Sequence, residues 1–412
     1  LEQGRVKDPL EDAGIEVASR TATTILVAFI AAMVALAIFV PGSRTPLILI
    51  VGIILMVMLH EFGHYITAKR SGMKVTEFFV GFGPRLWSFT RGETEYGVKA
   101  IPAGGYVRII GMTNMEEVDP EDEPRTFRQG TTGKRLTVIL AGVTVNLIIA
   151  FLLFFIVIAG QGRVFDGPNT TVQTVQSGSA ANAADLQTGD KILAVNGVAI
   201  SGWDELKSTI EKSGGKQLAL VVDRHGEQVE LVATPKVQNG EGFLGVSPGT
   251  VVRDVGVFEA VPESLKTMGT VFTGFTNVLS DRLSPSGVST SAQQSFTQPV
   301  PAATSQANLN RPMSLIGIVN TGSDLVGGNV WLILLLLGQI SFILAVFNLL
   351  PILPFDGGHA VVVLYEWVAS KIKHHRVFVD YRKLIPVSVV LLIPILFLGL
   401  SSMVLDIRQL GN

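Results

Sequence analysis

Two histidines four residues apart bracket the stretch His60-Glu61-Phe62-Gly63-His64. In a helix they stand one turn apart on one face, so both imidazoles can share a zinc ion. Glu61, next to the first, is placed to take a proton from a water that the metal polarises. The chain of 412 residues has no cysteine. Thiolate zinc sites, disulfides and cysteine catalysis are therefore excluded, and a metal falls to His, Asp or Glu. A catalytic zinc needs a third protein ligand and one open position. Asp356 and His359 both offer it, at the end of Asn348-Leu349-Leu350-Pro351-Ile352-Leu353-Pro354-Phe355-Asp356-Gly357-Gly358-His359. There the prolines break a helix and the glycine pair lets the backbone turn. The plain alternatives are two helical histidines bonded to neighbouring helices, and an Asp356 that only caps the next helix.

The setting of these residues is unusual. Thirteen uncharged, mostly aliphatic residues, Leu47 to Leu59, run straight into the first histidine, and Lys69-Arg70 follow the second. A composition 48% hydrophobic and only 16% charged, with mean hydropathy +0.45, implies a membrane protein. The net charge of −2 gives no reason to expect a nucleic-acid partner. His60 lies 14 residues beyond Pro46, roughly 20 Å along a helix. Lys69 is nine residues further, roughly 14 Å. In an apolar core about 30 Å thick the histidines are submerged, where ionisable side chains read as functional.

The expected order begins with an N-terminal cytoplasmic segment (1–21), an extra transmembrane helix (22–41) and a core helix carrying the histidines (46–68). A cytoplasmic or membrane-associated β region and loop (69–135) leads to a second core span (136–159). A soluble α/β module (163–249) precedes an amphipathic helix and flexible loop (250–329), the loop from the Ser/Thr/Pro-rich stretch 284–312. A third core span ends at Asp356 (330–359), a basic cytoplasmic loop follows (360–383), and a last span (384–405) is interrupted by Pro386 and Pro394. Lys and Arg around 69–74, at 134–135 and in 371–383 make those loops cytoplasmic and put the module outside. The lipid bilayer is the first partner. Asn146 and Asn348 place amides in apolar runs, suited to interhelical hydrogen bonds or to holding a substrate backbone or oxyanion. Strand character appears at 77–84, 94–101 and 105–109, punctuated by glycine.

The module holds a small-residue stretch from Gly178, then Gly189-Asp190-Lys191-Ile192-Leu193-Ala194-Val195-Asn196-Gly197. It looks like a single bacterial-type PDZ domain, which implies a possible extended peptide ligand on a sheet edge. As a whole the chain resembles the site-2 proteases, intramembrane zinc metalloproteases, and most of all their bacterial PDZ-containing branch. The resemblance spans most of 47–405. It rests on the 60–64 motif, Phe79-Val80-Gly81-Phe82-Gly83-Pro84, the stretch Gly97 to Val107, Asn146, the PDZ pattern and the 348–359 motif. It implies an α-helical polytopic membrane protein with four core spans plus an extra N-terminal one, a membrane-associated β-hairpin and an inserted extracytoplasmic PDZ domain. By the same resemblance His60, His64 and Asp356 are ligands of Zn2+ and Glu61 is the general base. Asn146 and Asn348, with Gly104, Gly105, Tyr106 and Val107 of the hairpin, contact an unwound substrate. The implied substrates are single-span membrane proteins, anti-sigma factors among them, cut within or near the span in the cytoplasmic membrane, with the active site toward the cytoplasmic side. Phe355 replaces the leucine common before the aspartate, an apolar exchange that leaves ligation intact. Two rival classes are a zinc-binding membrane scaffold that recruits partners through its PDZ domain without hydrolysis, and a metal transporter. The transporter requires further polar residues along several spans, and the 136–159 run has almost none besides Asn146.

Overall fold

The computed structural model describes residues 24, 27–28, 31–166, 170–176, 178–238, 241–248, 250–296 and 313–410. Contacts divide the chain into two compact units, Ile158–Ala260 and the remainder on either side of it. The expected segment 1–21 lies outside the described residues, as does part of 22–30. Within the expected extra span, residues 31–39 are helical.

Among the described residues four helices are long and apolar enough to cross a membrane. They are α1 (Arg44–Arg70), α2 (Thr132–Gln161), α8 (Val330–Asn348) and α10 (Tyr381–Leu410). Helix α1 ends on Lys69 and Arg70, cations at the negative end of the helix dipole. Pro386 and Pro394 lie within α10 without ending it, so the expected interruption is accommodated inside one helix.

After α1 the chain forms two long antiparallel strands, β1 (Val75–Arg91) and β2 (Thr94–Ile109). They double back on each other. Phe78 pairs with both Tyr96 and Val107, and Phe79 with both Gly97 and Tyr106. The result is a four-segment sheet in the order 85–91, 94–99, 75–80, 105–109. Its turn is tied to α1: Glu93 takes Lys69 Nζ at 2.6 Å and Arg125 at 2.8 Å. The Arg125 hydrogen bonds, backed by Lys69, hold the Glu93 carboxyl down at about 2.

The Ile158–Ala260 unit contains β3 (Arg163–Asp166), β4 (Val172–Val175), α3 (Ala180–Ala183), β5 (Lys191–Val195), β6 (Val198–Ala199), α4 (Trp203–Glu211), β7 (Leu218–Arg224) and β8 (Glu227–Ala233). Strands β9 (Lys236–Gln238), β10 (Glu241–Phe243), β11 (Val246–Pro248) and β12 (Thr250–Arg253) complete it. Four strands pair in the order β6-β5-β7-β8, and β11 pairs with β4. The core is Ile192, Val195, Leu206, Leu218, Leu220, Val222 and Leu244, packed under Trp203. Asp190 of the sequence motif is buried. It accepts Arg224 Nε at 2.8 Å and the Gln187 backbone N–H at 2.8 Å, so its part is to lock the loop before β5 onto β7.

Beyond this unit run α5 (Val257–Leu283), α6 (Pro285–Phe296), α7 (Leu315–Val326), then α8 and α9 (Asp356–Lys373) before α10. Part of the stretch expected to be a loop is helix α6. Ser284 Oγ accepts the Gly287 N–H at 3.0 Å, and Pro285 occupies the first helical position. A capping serine followed by proline starts a helix whatever the polar composition beyond it. Residues 297–312 lie outside the described residues.

Candidate metal centre and its cavity

Helix α1 brings His60 and His64 to one face, both buried. The break after α8 brings the third group. Asp356 is the first residue of α9, so the capping reading of its position holds locally, yet its carboxylate faces α1. Oδ2 of Asp356 lies 3.3 Å from Nε2 of His60 and 3.3 Å from Nε2 of His64. The two Nε2 atoms are 3.2 Å apart. Among the described residues, this is the cluster of His, Asp and Glu atoms close enough to hold one metal ion. Ligands about 2.0–2.1 Å from a tetrahedral zinc stand about 3.3–3.4 Å from one another, so the three atoms fit that metal. Oδ2 of Asp356 has no hydrogen-bond partner among the described residues. Nδ1 of His64 lies 2.7 Å from the Val138 carbonyl, which accepts its proton and leaves a lone pair on Nε2 for a cation.

Gly357 and Gly358 serve differently from the sequence expectation. Both have ordinary helical φ, and neither is among the positive-φ residues. A Cβ on Gly358 would stand 2.5 Å from the Ile352 carbonyl carbon. The pair is small so that α9 can fold back on the 349–353 backbone, which sets Asp356 opposite α1. His359 Nδ1 is 3.4 Å from Tyr381 Oη on α10 and stands outside the three-atom cluster.

A cavity of about 610 Å³ surrounds the cluster. Its lining includes Glu61, Asn146, Asn348, Gly104, Gly105 and Val107, so residues of α1, α2, α8 and β2 meet there. Glu61 is held from β2: its Oε2 accepts the Val107 backbone N–H at 3.1 Å. That N–H points away from β1, which makes 105–109 the edge segment on the side of α1. Gly105 permits the approach, since a Cβ there would stand 2.7 Å from Met58 Sδ. Tyr106 falls on the other face, as strand alternation requires. Its hydroxyl donates to Glu77 and accepts Lys99 Nζ at 2.7 Å, so it is not among the cavity residues. Asn146 is buried, with its backbone carbonyl accepting Ser341 Oγ at 2.9 Å and its Oδ1 unpaired among the described residues.

Two contributors escaped the sequence reading. One is the Val138 carbonyl, a backbone atom with no residue-type signature. The other is Gly142, four residues before Asn146 and on the same face of α2. A Cβ at Gly142 would stand 2.7 Å from both Cε1 and Nε2 of His60, and closer still to His64 Nε2. A lone glycine amid bulky apolar residues was the available signal. Gly142→Leu is expected to push both imidazoles aside and weaken zinc binding by about 10- to 100-fold. Zinc titration of the purified chain checks this, and wild-type affinity would mean that α2 can move away at no cost.

A buried ion pair, Arg135 Nη1 to Glu366 at 2.7 Å, ties α2 to α9. Oε1 of Glu366 also accepts the Val379 N–H at 2.8 Å.

Comparison with known proteins gives a family match and two relatives. The profile of peptidase family M50 matches residues 48–393. Zinc metalloprotease Rip1 of Mycobacterium tuberculosis is 33% identical over 394 residues, covering 86% of this chain and 95% of the relative. Zinc metalloprotease Rip1 of Mycolicibacterium smegmatis is 30% identical over 383 residues, covering 82% and 91%.

Proposed function

The chain belongs to peptidase family M50, a membrane zinc metalloprotease by that membership, and we propose that it hydrolyses peptide bonds within or near the spans of single-span membrane proteins. The observation that carries this reading is the convergence of His60 Nε2, His64 Nε2 and Asp356 Oδ2 at 3.2–3.3 Å, beside Glu61, on a membrane-crossing helix. These three residues would hold the zinc. Zinc, when bound, lowers the pKa of water and polarises a carbonyl. Glu61 takes the proton of the attacking water and passes it to the leaving amine. Its bond to the Val107 N–H keeps the carboxylate aimed while the proton moves. Asn146 and Asn348 hydrogen-bond the substrate backbone from opposite helices. A helical span hides its own amides, so it must unwind before it can be cut. The 105–109 edge offers main-chain groups to the extended segment, with Gly104 and Gly105 leaving room for it. Cleavage of a single-span reporter in vesicles tests the reading. It should stop when zinc is chelated and return when zinc is restored. Cleavage that persists in chelator would overturn it.

Anti-sigma factors are the substrates we favour, cut in regulated intramembrane proteolysis. The basic loops at 69–74 and 371–383 support a cytoplasmic-side active site. The Ile158–Ala260 unit then lies outside as a PDZ domain, a reading supported by its GD motif and by the β11 strand beside α4. It acts as a filter that admits trimmed substrates. Deleting 165–248 is therefore expected to permit cleavage of an untrimmed reporter. Loss of all cleavage, with zinc retained, would make the unit a recruiter instead.

A further inference from the structure

Asp356, His64 and Glu61 are each tied back to one arginine. Asp356 opens α9, and Glu366, ten residues on, carries that helix's bond to Arg135 at 2.7 Å. On α2, Arg135 stands one turn before Val138, whose carbonyl lies 2.7 Å from His64 Nδ1. Gly142, against which both imidazoles lie, is seven residues beyond it on the same face. The Arg135 guanidinium also covers the ring of Phe127, 5.0 Å from its centroid. Phe127 is fully buried and donates its N–H to the Ile110 carbonyl at 2.9 Å. That carbonyl directly follows β2, the strand whose Val107 N–H holds Glu61.

Stability alone does not account for the pair. Arg135 is 6% exposed and Glu366 4%, and Arg135 Nε has no hydrogen-bond partner among the described residues. Taking two charges out of water costs about as much as their attraction returns, so an apolar pair of similar size holds a fold as well. What a buried pair adds is register: it is satisfied at one placement of two helices, whereas apolar surfaces can slide. Apolar surface is what surrounds it, since Val138 and Ile139 of α2 share one buried cluster with Ala360 and Val363 of α9. Glu366 lies roughly 15 Å along α9 from Asp356. A slip or tilt of that helix would carry Asp356 Oδ2 away from the 3.3 Å at which it meets both imidazoles. Metal ligands must be held within about 0.5 Å.

We propose that Arg135 and Glu366 are positioning residues of the metal centre. Their pair fixes the register of α9 on α2 and so keeps Asp356 opposite His60 and His64. The inference rests on the three-ligand reading of that centre given above.

The test is the double variant Arg135→Met/Glu366→Leu on the full chain, purified in detergent and titrated with Co2+. Cobalt stands in for zinc, and its visible bands change in position and intensity with the number and kind of its ligands. The expected result is a melting temperature no lower than that of wild type, with cobalt binding weakened about 10-fold and bands displaced toward those of Asp356→Ala. Glu366→Gln keeps the size and can still accept the Val379 N–H while removing the charge. It should displace the bands in the same direction, less far, and it serves if the double variant does not fold. Wild-type bands and affinity in the variants that fold, even at a lowered melting temperature, would make the pair a brace of the fold and overturn the positioning role, leaving the metal centre standing. Cobalt bands that Asp356→Ala leaves unaltered would overturn the three-ligand centre and the proposal with it.

Discussion

Replacing Asp356 by alanine is expected to lower bound zinc from one per chain to well below that, with a loss of affinity of at least about 100-fold. The carboxylate oxygen lies 3.3 Å from both imidazole nitrogens, and among the described residues only these three groups form the cluster. His359 is the natural substitute by sequence, three residues on. It is turned toward Tyr381 instead, at 3.4 Å. His359→Ala should therefore keep its zinc. Full occupancy in Asp356→Ala together with loss in His359→Ala would reverse the assignment. Cleavage should fall with zinc in the first variant, because the same ion that is lost supplies the electrophile.

Glu61→Gln is expected to lose cleavage while keeping its zinc. Glutamine keeps the size and can still accept the Val107 N–H, so zinc and fold should be retained. It cannot take a proton, and cleavage should drop by about 10²- to 10⁴-fold. This variant also separates the protease from a zinc-binding scaffold, which would lose nothing. The Val107 N–H, 3.1 Å from the carboxylate, explains why a shorter replacement is a poorer test. Glu61→Asp would give up that bond and the reach toward the cluster together, so its failure would not isolate the proton transfer.

How much of this was legible in the residues depends on what kind of signal each contribution leaves. His60, Glu61 and His64 are readable because helical spacing converts directly into geometry. The choice between Asp356 and His359 is not, since both sit at the start of the same helix. The first turn of α9 and its packing on 349–353 decide which faces α1. The glycine pair matters through its smallness, not its φ range. Tyr106 was grouped with its neighbours, although strand alternation already placed it on the other face from Gly105 and Val107. Gly142 and the Val138 carbonyl act through close approach and backbone, which leave little trace in residue type. In the fold, helices α1, α2 and α8 follow from long apolar runs. The doubled β-sheet does not, because strand character at 75–80 says nothing about pairing on both sides. Helix α6 was hidden by a polar composition, despite the Ser284-Pro285 start.

The most direct measurement is mass spectrometry of the products formed from a single-span substrate in zinc-loaded vesicles, with wild type and Glu61→Gln side by side. The expected result is a pair of new termini within or near the apolar span, formed by wild type and absent with Glu61→Gln at equal zinc content. Products of equal yield from both proteins, or no new terminus in or beside the span, would contradict hydrolysis at the His60, His64 and Asp356 centre.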